Sequence, residues 1–306
     1  MTRYIVHRMA ALIPVLFGVS ILVFSILKFV PGDPALLVGG LDASPEDLAA
    51  IRHQMGLDQP VPMQYVRFLT NAAVGDFGRS IRSQRPVLEE LAARIPNTVT
   101  LTVVAMAFAI VVGTGLGVVA AVRQYSLLDT CAMALAVMGI SVPIFWLGLM
   151  LMLLFAVELR WLPTAGTGTP WHLVLPGLTL GAASAAIIAR QVRSAMLEVL
   201  RQDYVRTARA KGLHAGNIIL RHALKNALIP AVTIIGLQFG YLLAGAVVTE
   251  TVFAWPGVGR LLVDAIKYRD FPVVQATILW LAVIFSAVNL IVDVLYGFLD
   301  PRIKYQ

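Results

Sequence analysis

Apolar residues occur along this chain in six long windows without a charged side chain, and charged segments separate them. The windows run over 9–27, 95–122, 130–157, a stretch within 161–189, 226–249 and 271–292. A helix needs roughly 20 apolar residues to cross the hydrocarbon core of a bilayer, so each window is long enough for one span. Strands of a membrane barrel alternate over about 10 residues, whereas these windows are continuously apolar. The pattern therefore predicts an all-α polytopic membrane protein with six transmembrane helices.

Composition supports this class. Of the 306 residues, 58% are hydrophobic and 13% are charged, whereas soluble domains average about 45–50% and about 25%. So few charges cannot cover a water-facing surface, and disorder needs low hydrophobicity. The formal net charge of +7 does not indicate nucleic acid, because the basic residues sort by loop rather than gather on one face.

The basic residues also predict the orientation. Segment 190–225 holds eight Lys or Arg and two acidic residues, and such loops stay on the cytoplasmic side. With six spans, both termini are then cytoplasmic. We expect three regions: 1–30 with the cytoplasmic N-terminus and first span, 31–96 as an extracytoplasmic helical subdomain, and 97–306 as a five-helix core containing the cytoplasmic loop 190–225.

The outer segment 31–96 has turn and capping signals for three helices. Ser44, Pro45 and Asp47 form an N-terminal capping pattern, and Gly56 supplies a stop. A second helix is predicted to follow Pro62 and to end at Gly75, and a third to run from 86 to 95.

Two classes of chemistry lack the residues they need. A phosphate-binding loop requires a lysine followed by Ser or Thr, and none of the five lysines has that neighbour. Ion-driven carriers usually place ionisable groups at membrane depth. The apolar windows of this chain contain almost no such groups. We interpret Glu250, at the outer end of the fifth window, as an interfacial anchor or an interhelical partner.

Small residues and prolines inside the windows favour structural interpretations. The run Gly139-Ile140-Ser141 has the form expected of an intramembrane serine nucleophile. Such a serine needs a base, and no later window has a central histidine, so a helix-packing role is favoured for Ser141. Gly113 and Gly117 fall four apart on one helix face and predict close helix packing. Pro143 and Pro176 predict kinks or broken helical hydrogen-bond ladders.

Segment 201–230 is too charged to span a membrane and too apolar for a linker. Tyr204, Ala208 and Lys211 or Gly212 fall on one helical face, Gly212 permits a turn, and 218–224 indicates a second short helix. The segment could lie on anionic lipid as an amphipathic helix or dock a soluble partner. The residues alone leave both interpretations open.

Five sequence blocks, in this order, carry a family resemblance. They are K-F-V-P-G-D-P-A (28–35), G-D-F-G-R-S (75–80), D-Y-V-R-T-A-R-A-K-G (203–212), H-A-L-K-N-A-L-I-P (222–230) and V-F-A-W-P-G-V-G-R-L-L (252–262). Together they resemble the inner-membrane permease subunits of bacterial ABC importers for dipeptides, oligopeptides and nickel. The long outer segment resembles the first of the two paired permeases, and peptide or glutathione permeases more than others. The resemblance implies the type I ABC importer permease fold in the bacterial inner (plasma) membrane.

The resemblance also implies where the ATPase contacts this chain. In that family the so-called EAA loop carries a coupling helix that fits a groove on the ATPase subunit. Its Glu-Ala-Ala positions fall here on Arg206, Thr207 and Ala208, so the first position departs from the acidic pattern. Pro230 also lies farther from the glycine, Gly212, than in the general pattern. The implied coupling residues are Arg206, Thr207, Ala208, Arg209, Ala210, Lys211, Gly212 and Leu213.

The implied activity is import of di- or oligopeptides, or glutathione, by alternating access. The resemblance implies a homologous second permease, one or two ATP-binding subunits, a substrate-binding protein and membrane lipid as partners. It implies no cofactor, catalytic residue or metal ligand in this chain, because ATP and Mg²⁺ bind the partner subunits. The alternatives are a nickel importer of the same family and a free-standing secondary carrier.

Substrate contacts are not marked by any motif. Polar or aromatic residues expected to face a pore are Ser141, Trp146, Gln238 and Tyr241. Helix packing with an interhelical hydrogen bond is the alternative role for each of them.

Overall fold

A computed structural model describes residues 2–29, 34–40 and 43–299, and within these ranges helices joined by loops make up the chain, with an isolated β-bridge between Arg79 and Pro86. Residues 30–33 of the first family block and the predicted cytoplasmic end 300–306 lie outside the described residues. The α-helices are α1 (Thr2–Phe29), α2 (Pro34–Gly39), α3 (Pro45–Met55), α4 (Val61–Ala73), α5 (Val87–Val122), α6 (Leu127–Ser141), α7 (Ile144–Met152), α8 (Val174–Val199), α9 (Asp203–Ala210), α10 (Ala215–Asn217), α11 (Leu224–Val252), α12 (Val258–Lys267) and α13 (Phe271–Leu299). A 3₁₀ turn (Pro170–Leu173) precedes α8, and π turns follow α7 (Leu153–Glu158) and α10 (Ile218–Ala223).

Five helical segments are long and apolar enough to cross a membrane: Arg8–Ile26, Val87–Val122, Pro170–Val199, Ala215–Val252 and Phe271–Val292. The predicted third span is instead a helix pair, Leu127–Ser141 and Ile144–Glu158, bent by 108°. The spans therefore number six if this pair crosses as one.

Pro143 accounts for the break. Val142 before it is extended, with φ −81° and ψ 127°, as the ring of a following proline favours. Pro143 itself has no N–H to continue the helical hydrogen bonds. Pro176 lies in the first turn of α8, where a proline is tolerated because its missing N–H is not needed for the helical hydrogen bonds.

The chain divides into two compact units. One comprises residues 1–96 and 257–287, and the other comprises 97–256 and 288–306.

The first unit contains the helix whose ends were predicted most completely. The Ser44 hydroxyl accepts from the Asp47 backbone N–H at 3.1 Å, the Asp47 carboxylate accepts from the Ser44 N–H at 3.3 Å, and Gly56 ends α3 with φ +68°. Helix α4 also lies close to its predicted position. The predicted third helix is wrong at its C-terminal end, because α5 continues through Pro96 to Val122.

A buried carboxylate in the first unit anchors the loop between α4 and α5. Asp270 accepts from the Ser80 hydroxyl at 2.5 Å and from the backbone N–H groups of Ile81 and Arg82 at 3.1 and 3.2 Å. The Arg82 guanidinium lies 3.7 Å from the centre of the Tyr268 ring. One aspartate thus orders a loop that precedes it by about 190 residues in the chain.

We expect Asp270→Ala to loosen this loop. The buried Ser80 hydroxyl loses its acceptor, which costs roughly 1–3 kcal/mol, and the Ile81 and Arg82 backbone N–H groups lose theirs at partly buried sites. Limited trypsin digestion of the purified protein should then cut faster after Arg79 and Arg82. The control is Asp76→Ala, which removes an exposed carboxylate that accepts from the Gly78 N–H. Equal cleavage of the two variants would show that Asp270 does not order the loop.

In the second unit α8 is the central helix, with buried residues along most of its length. The small residues of α5 let it approach α8, as the Gly113–Gly117 spacing predicted. A Cβ on Gly113 would lie 2.6 Å from the Ala185 carbonyl oxygen, and one on Gly117 would lie 2.6 Å from that of Ala189. A Cβ at either position would overlap the backbone oxygen, so only glycine fits there.

Glu250 is an interhelical partner rather than an interfacial anchor. Its side chain is fully buried, and its carboxylate accepts from the Thr98 hydroxyl at 2.6 Å. Next to it, the Trp255 indole N–H donates to the Asn97 carbonyl oxygen at 3.0 Å, and the Asn97 amide donates to the Pro256 carbonyl oxygen at 2.8 Å. These bonds join α5 to the end of α11 and the turn after it.

Candidate coupling segment and substrate path

Helix α9 ends in a glycine turn with a defined hydrogen-bond pattern. Gly212 has φ +75°, in the left-handed region that glycine adopts at helix C-termini. The Gly212 N–H donates to the Arg209 carbonyl oxygen at 2.9 Å, and the Leu213 N–H donates to that of Ala208 at 3.3 Å. This pair of bonds is a Schellman motif, so Gly212 sets the direction in which the chain leaves α9.

One face of α9 packs against its own chain. Val205 and Ala208 are buried together with Ile218, and Leu200 packs at the edge of this cluster. The Asn226 amide also donates to the Tyr204 hydroxyl at 2.8 Å. The side chain of Ala208 therefore points into this chain and positions α9.

The opposite face of the segment is exposed and basic. Its exposed residues are Arg206, Thr207, Arg209, Ala210, Lys211, Gly212 and Leu213. Asp203 is the acidic residue beside them, 3.8 Å from Arg206 in a highly exposed pair. Lys211 and Arg209 flank the small Ala210, and Leu213 adds an apolar contact. This face suits an acidic surface with a shallow apolar groove.

The second short helix expected at 218–224 is not separate. Residues Ala215–Val252 form one helix with a π turn near its start, and the His214 ring nitrogen Nδ1 accepts from the Gly216 N–H at 3.2 Å to cap it. Helix α9 therefore connects two spans along the chain, α8 before it and α11 after it.

The four predicted substrate-path residues occupy different environments within the second unit. Ser141 ends α6 at the break before Pro143, and Trp146 lies two residues into α7, both exposed. On α11, Tyr241 is 63% exposed whereas Gln238 is only 7% exposed. In the described part of the chain, no hydrogen bond or ring contact joins any two of these four. Their role in a substrate path stays a prediction.

An ion pair between α6 and α8 was not predicted from the sequence. Arg193 on α8 makes two hydrogen bonds of 2.7 Å to the two carboxylate oxygens of Asp129 on α6. Arg193 counts among the basic residues that predicted the orientation, and 64 positions separate it from Asp129. No local pattern links residues so far apart.

Family descriptions match almost the whole chain. Residues 113–305 match "Binding-protein-dependent transport system inner membrane component", and residues 1–102 match the N-terminal description of the same transport-system membrane component.

Similar proteins agree with this family. The chain is 48% identical over its full 306 residues to the glutathione transport system permease protein GsiC of Escherichia coli K12 and of Salmonella paratyphi A, and it covers 100% of each. In fold it resembles a solved structure of the inward-facing MetNI methionine ABC transporter, with a TM-score of 0.57 and 22% identity, covering 69% of this chain and 96% of the other. An amino acid ABC transporter with histidines matches at a TM-score of 0.54 and 13% identity, covering 69% and 94%. The chain therefore belongs to the inner-membrane components of binding-protein-dependent transport systems, as a multi-pass helical permease of the ABC importer type.

Proposed function

We propose that this chain is one permease subunit of an ATP-driven importer that takes up glutathione or di- and oligopeptides by alternating access. The observation that carries the substrate class is the 48% identity, over the full length of both chains, to glutathione permeases. The aligned length includes the outer segment 31–96.

The coupling part of the proposal rests on the surface of α9. Three basic side chains, Arg206, Arg209 and Lys211, are exposed beside Leu213, and the Gly212 turn sets the direction in which the chain leaves α9. A soluble ATP-binding subunit that docks here would transmit its closure through α9 into α8 and α11. The permease would then need no energy source of its own.

We propose that ATP and Mg²⁺ bind only the partner subunits. The absence of a lysine followed by Ser or Thr supports this part of the proposal. The proposed assembly contains a homologous second permease, one or two types of ATP-binding subunit and a substrate-binding protein. Affinity for the substrate would belong to the binding protein, since the pore candidates Ser141, Trp146, Gln238 and Tyr241 include no charged side chain.

Reconstitution in proteoliposomes tests this proposal. The chain is purified with the partner subunits whose genes adjoin its own, and uptake of labelled glutathione, a labelled dipeptide and Ni²⁺ is compared with and without ATP. We expect ATP-dependent uptake of glutathione or the dipeptide that requires the binding protein.

Two results would contradict the proposal. ATP-dependent uptake of Ni²⁺ alone would assign the chain to a nickel importer. Uptake by this chain alone, without ATP or partners, would make it a secondary carrier.

A further inference from the structure

Helices α6 and α8 pack through small side chains. Ala136 of α6 shares a buried cluster with Ala186 and Ala189 of α8, where the flexible Met133 is the one large side chain that α6 adds. A Cβ on Gly139 would lie 3.2 Å from the Ala182 carbonyl oxygen. Helices hold their register when large side chains of one fit between those of the other. Alanine and glycine offer shallow ridges, so this seam gives close approach with little resistance to sliding.

An ion pair fixes one end of the seam. Arg193 Nε donates to Asp129 Oδ1 and Arg193 Nη2 donates to Asp129 Oδ2, both at 2.7 Å. Asp129 Oδ2 also accepts from the Tyr125 backbone N–H at 3.0 Å. The Asp129 side chain is 7% exposed and that of Arg193 is 26% exposed. A bidentate, largely buried pair fixes both distance and orientation.

The pair lies between two features of the proposed transport cycle. Arg193 is on the helix that leads into α9, ten positions before Asp203. At the other end of α6, the helix stops at Ser141, and the chain turns by 108° into α7 at Val142 and Pro143. Pro143 has no N–H to continue the helical hydrogen bonds across this break, so the break can serve as a hinge.

We propose that Arg193 and Asp129 are a positioning pair that makes α6 follow α8 when the coupling segment moves, so that the movement reaches the hinge at Val142 and Pro143. This inference rests on the proposed function. The pair contacts neither substrate nor nucleotide. It supplies the register that the small-residue seam between α6 and α8 lacks.

The test uses the reconstituted transporter and measures substrate molecules imported per ATP hydrolysed. Asp129→Asn keeps the size of the side chain but removes its charge. We expect it to lower this ratio about tenfold, within the range of coupling between distant sites, while ATP hydrolysis continues. Arg190→Gln is the matched control, because Arg190 lies one turn earlier on α8 and is exposed. Its ratio should equal that of the wild type.

A disulfide between the two helices separates positioning from folding. Ala136→Cys and Ala186→Cys are introduced together with Cys131→Ser, which removes the exposed natural cysteine. With the ion pair intact, oxidation should leave transport unchanged, because α6 and α8 move as one body. In the Asp129→Asn background, oxidation should restore the ratio and reduction should lower it again.

Several outcomes would overturn the inference. A normal ratio in Asp129→Asn shows that α6 does not need the pair. Loss of transport when the otherwise wild-type protein is cross-linked shows that α6 must slide along α8. Either result leaves the proposed function intact as long as Gly212→Pro, which removes the turn at the end of α9, uncouples ATP hydrolysis from transport. If Gly212→Pro also has no effect, the proposed coupling itself fails.

Discussion

Gly113→Leu and Gly117→Leu are expected to prevent the second unit from folding. A Cβ at Gly113 would lie 2.9 Å from the Cβ of Ile188 besides the 2.6 Å to a backbone oxygen, and a Cβ at Gly117 would lie 2.8 Å from the Cβ of Val192. The obstacles are backbone and β-branched side chains, which cannot rotate away. Overpacking usually costs about 1–3 kcal/mol, and a clash with backbone at the central helix should exceed that range.

The measurement is the fraction of protein that elutes as a single species from size-exclusion chromatography in detergent, together with its unfolding temperature. Gly115→Leu is the matched control, because a Cβ at Gly115 meets nothing within 4 Å. Gly115 lies on the same helix as Gly113 and Gly117, and the control substitution introduces the same side chain. If all three variants were equally stable, the close approach of α5 and α8 would be refuted.

Gly212→Pro is expected to uncouple ATP hydrolysis from transport. Proline requires φ near −65°, whereas Gly212 has φ +75° and donates its N–H to Arg209. The substitution therefore destroys the turn that directs Lys211 and Leu213. Residue 212 lies between the spans Pro170–Val199 and Ala215–Val252, so membrane insertion should persist. We expect import per ATP hydrolysed to fall about tenfold or more.

Gly212→Asn is the control for this prediction, since asparagine tolerates the left-handed region better than other side chains. It should retain most of the coupling. A bulky charge at Ala208 also disrupts the segment, but less informatively. Ala208 is buried against Val205 and Ile218, so a charge there displaces α9 as a whole. Normal coupling in Gly212→Pro would mean that energy enters the permease elsewhere.

The sequence pattern predicted those parts of the fold that depend on interactions between residues a few positions apart. The caps of α3 depend on residues three positions apart, and the Gly113–Gly117 spacing depends on one turn of helix, so both are readable from the chain. The apolar windows set the spans because their length matches the bilayer.

Contacts between distant residues could not be predicted in the same way. The Ser80–Asp270 bond joins residues 190 positions apart, and the Arg193–Asp129 pair joins residues 64 apart. Pro143 indicated a kink, yet the 108° bend depends on how α7 packs against α8 and α11. At the candidate site, helical spacing placed Ala208 with Tyr204 on one face, but only the contacts with Ile218 and Asn226 show that this face packs against its own chain.

The most direct test of the account is the accessibility of residue 211. Lys211→Cys in a Cys131→Ser background is treated with a membrane-impermeant maleimide in inside-out vesicles, with and without the ATP-binding subunits. The account predicts labelling from the cytoplasmic face that these subunits block. Labelling only from the opposite face, or equal labelling with and without the subunits, would contradict it.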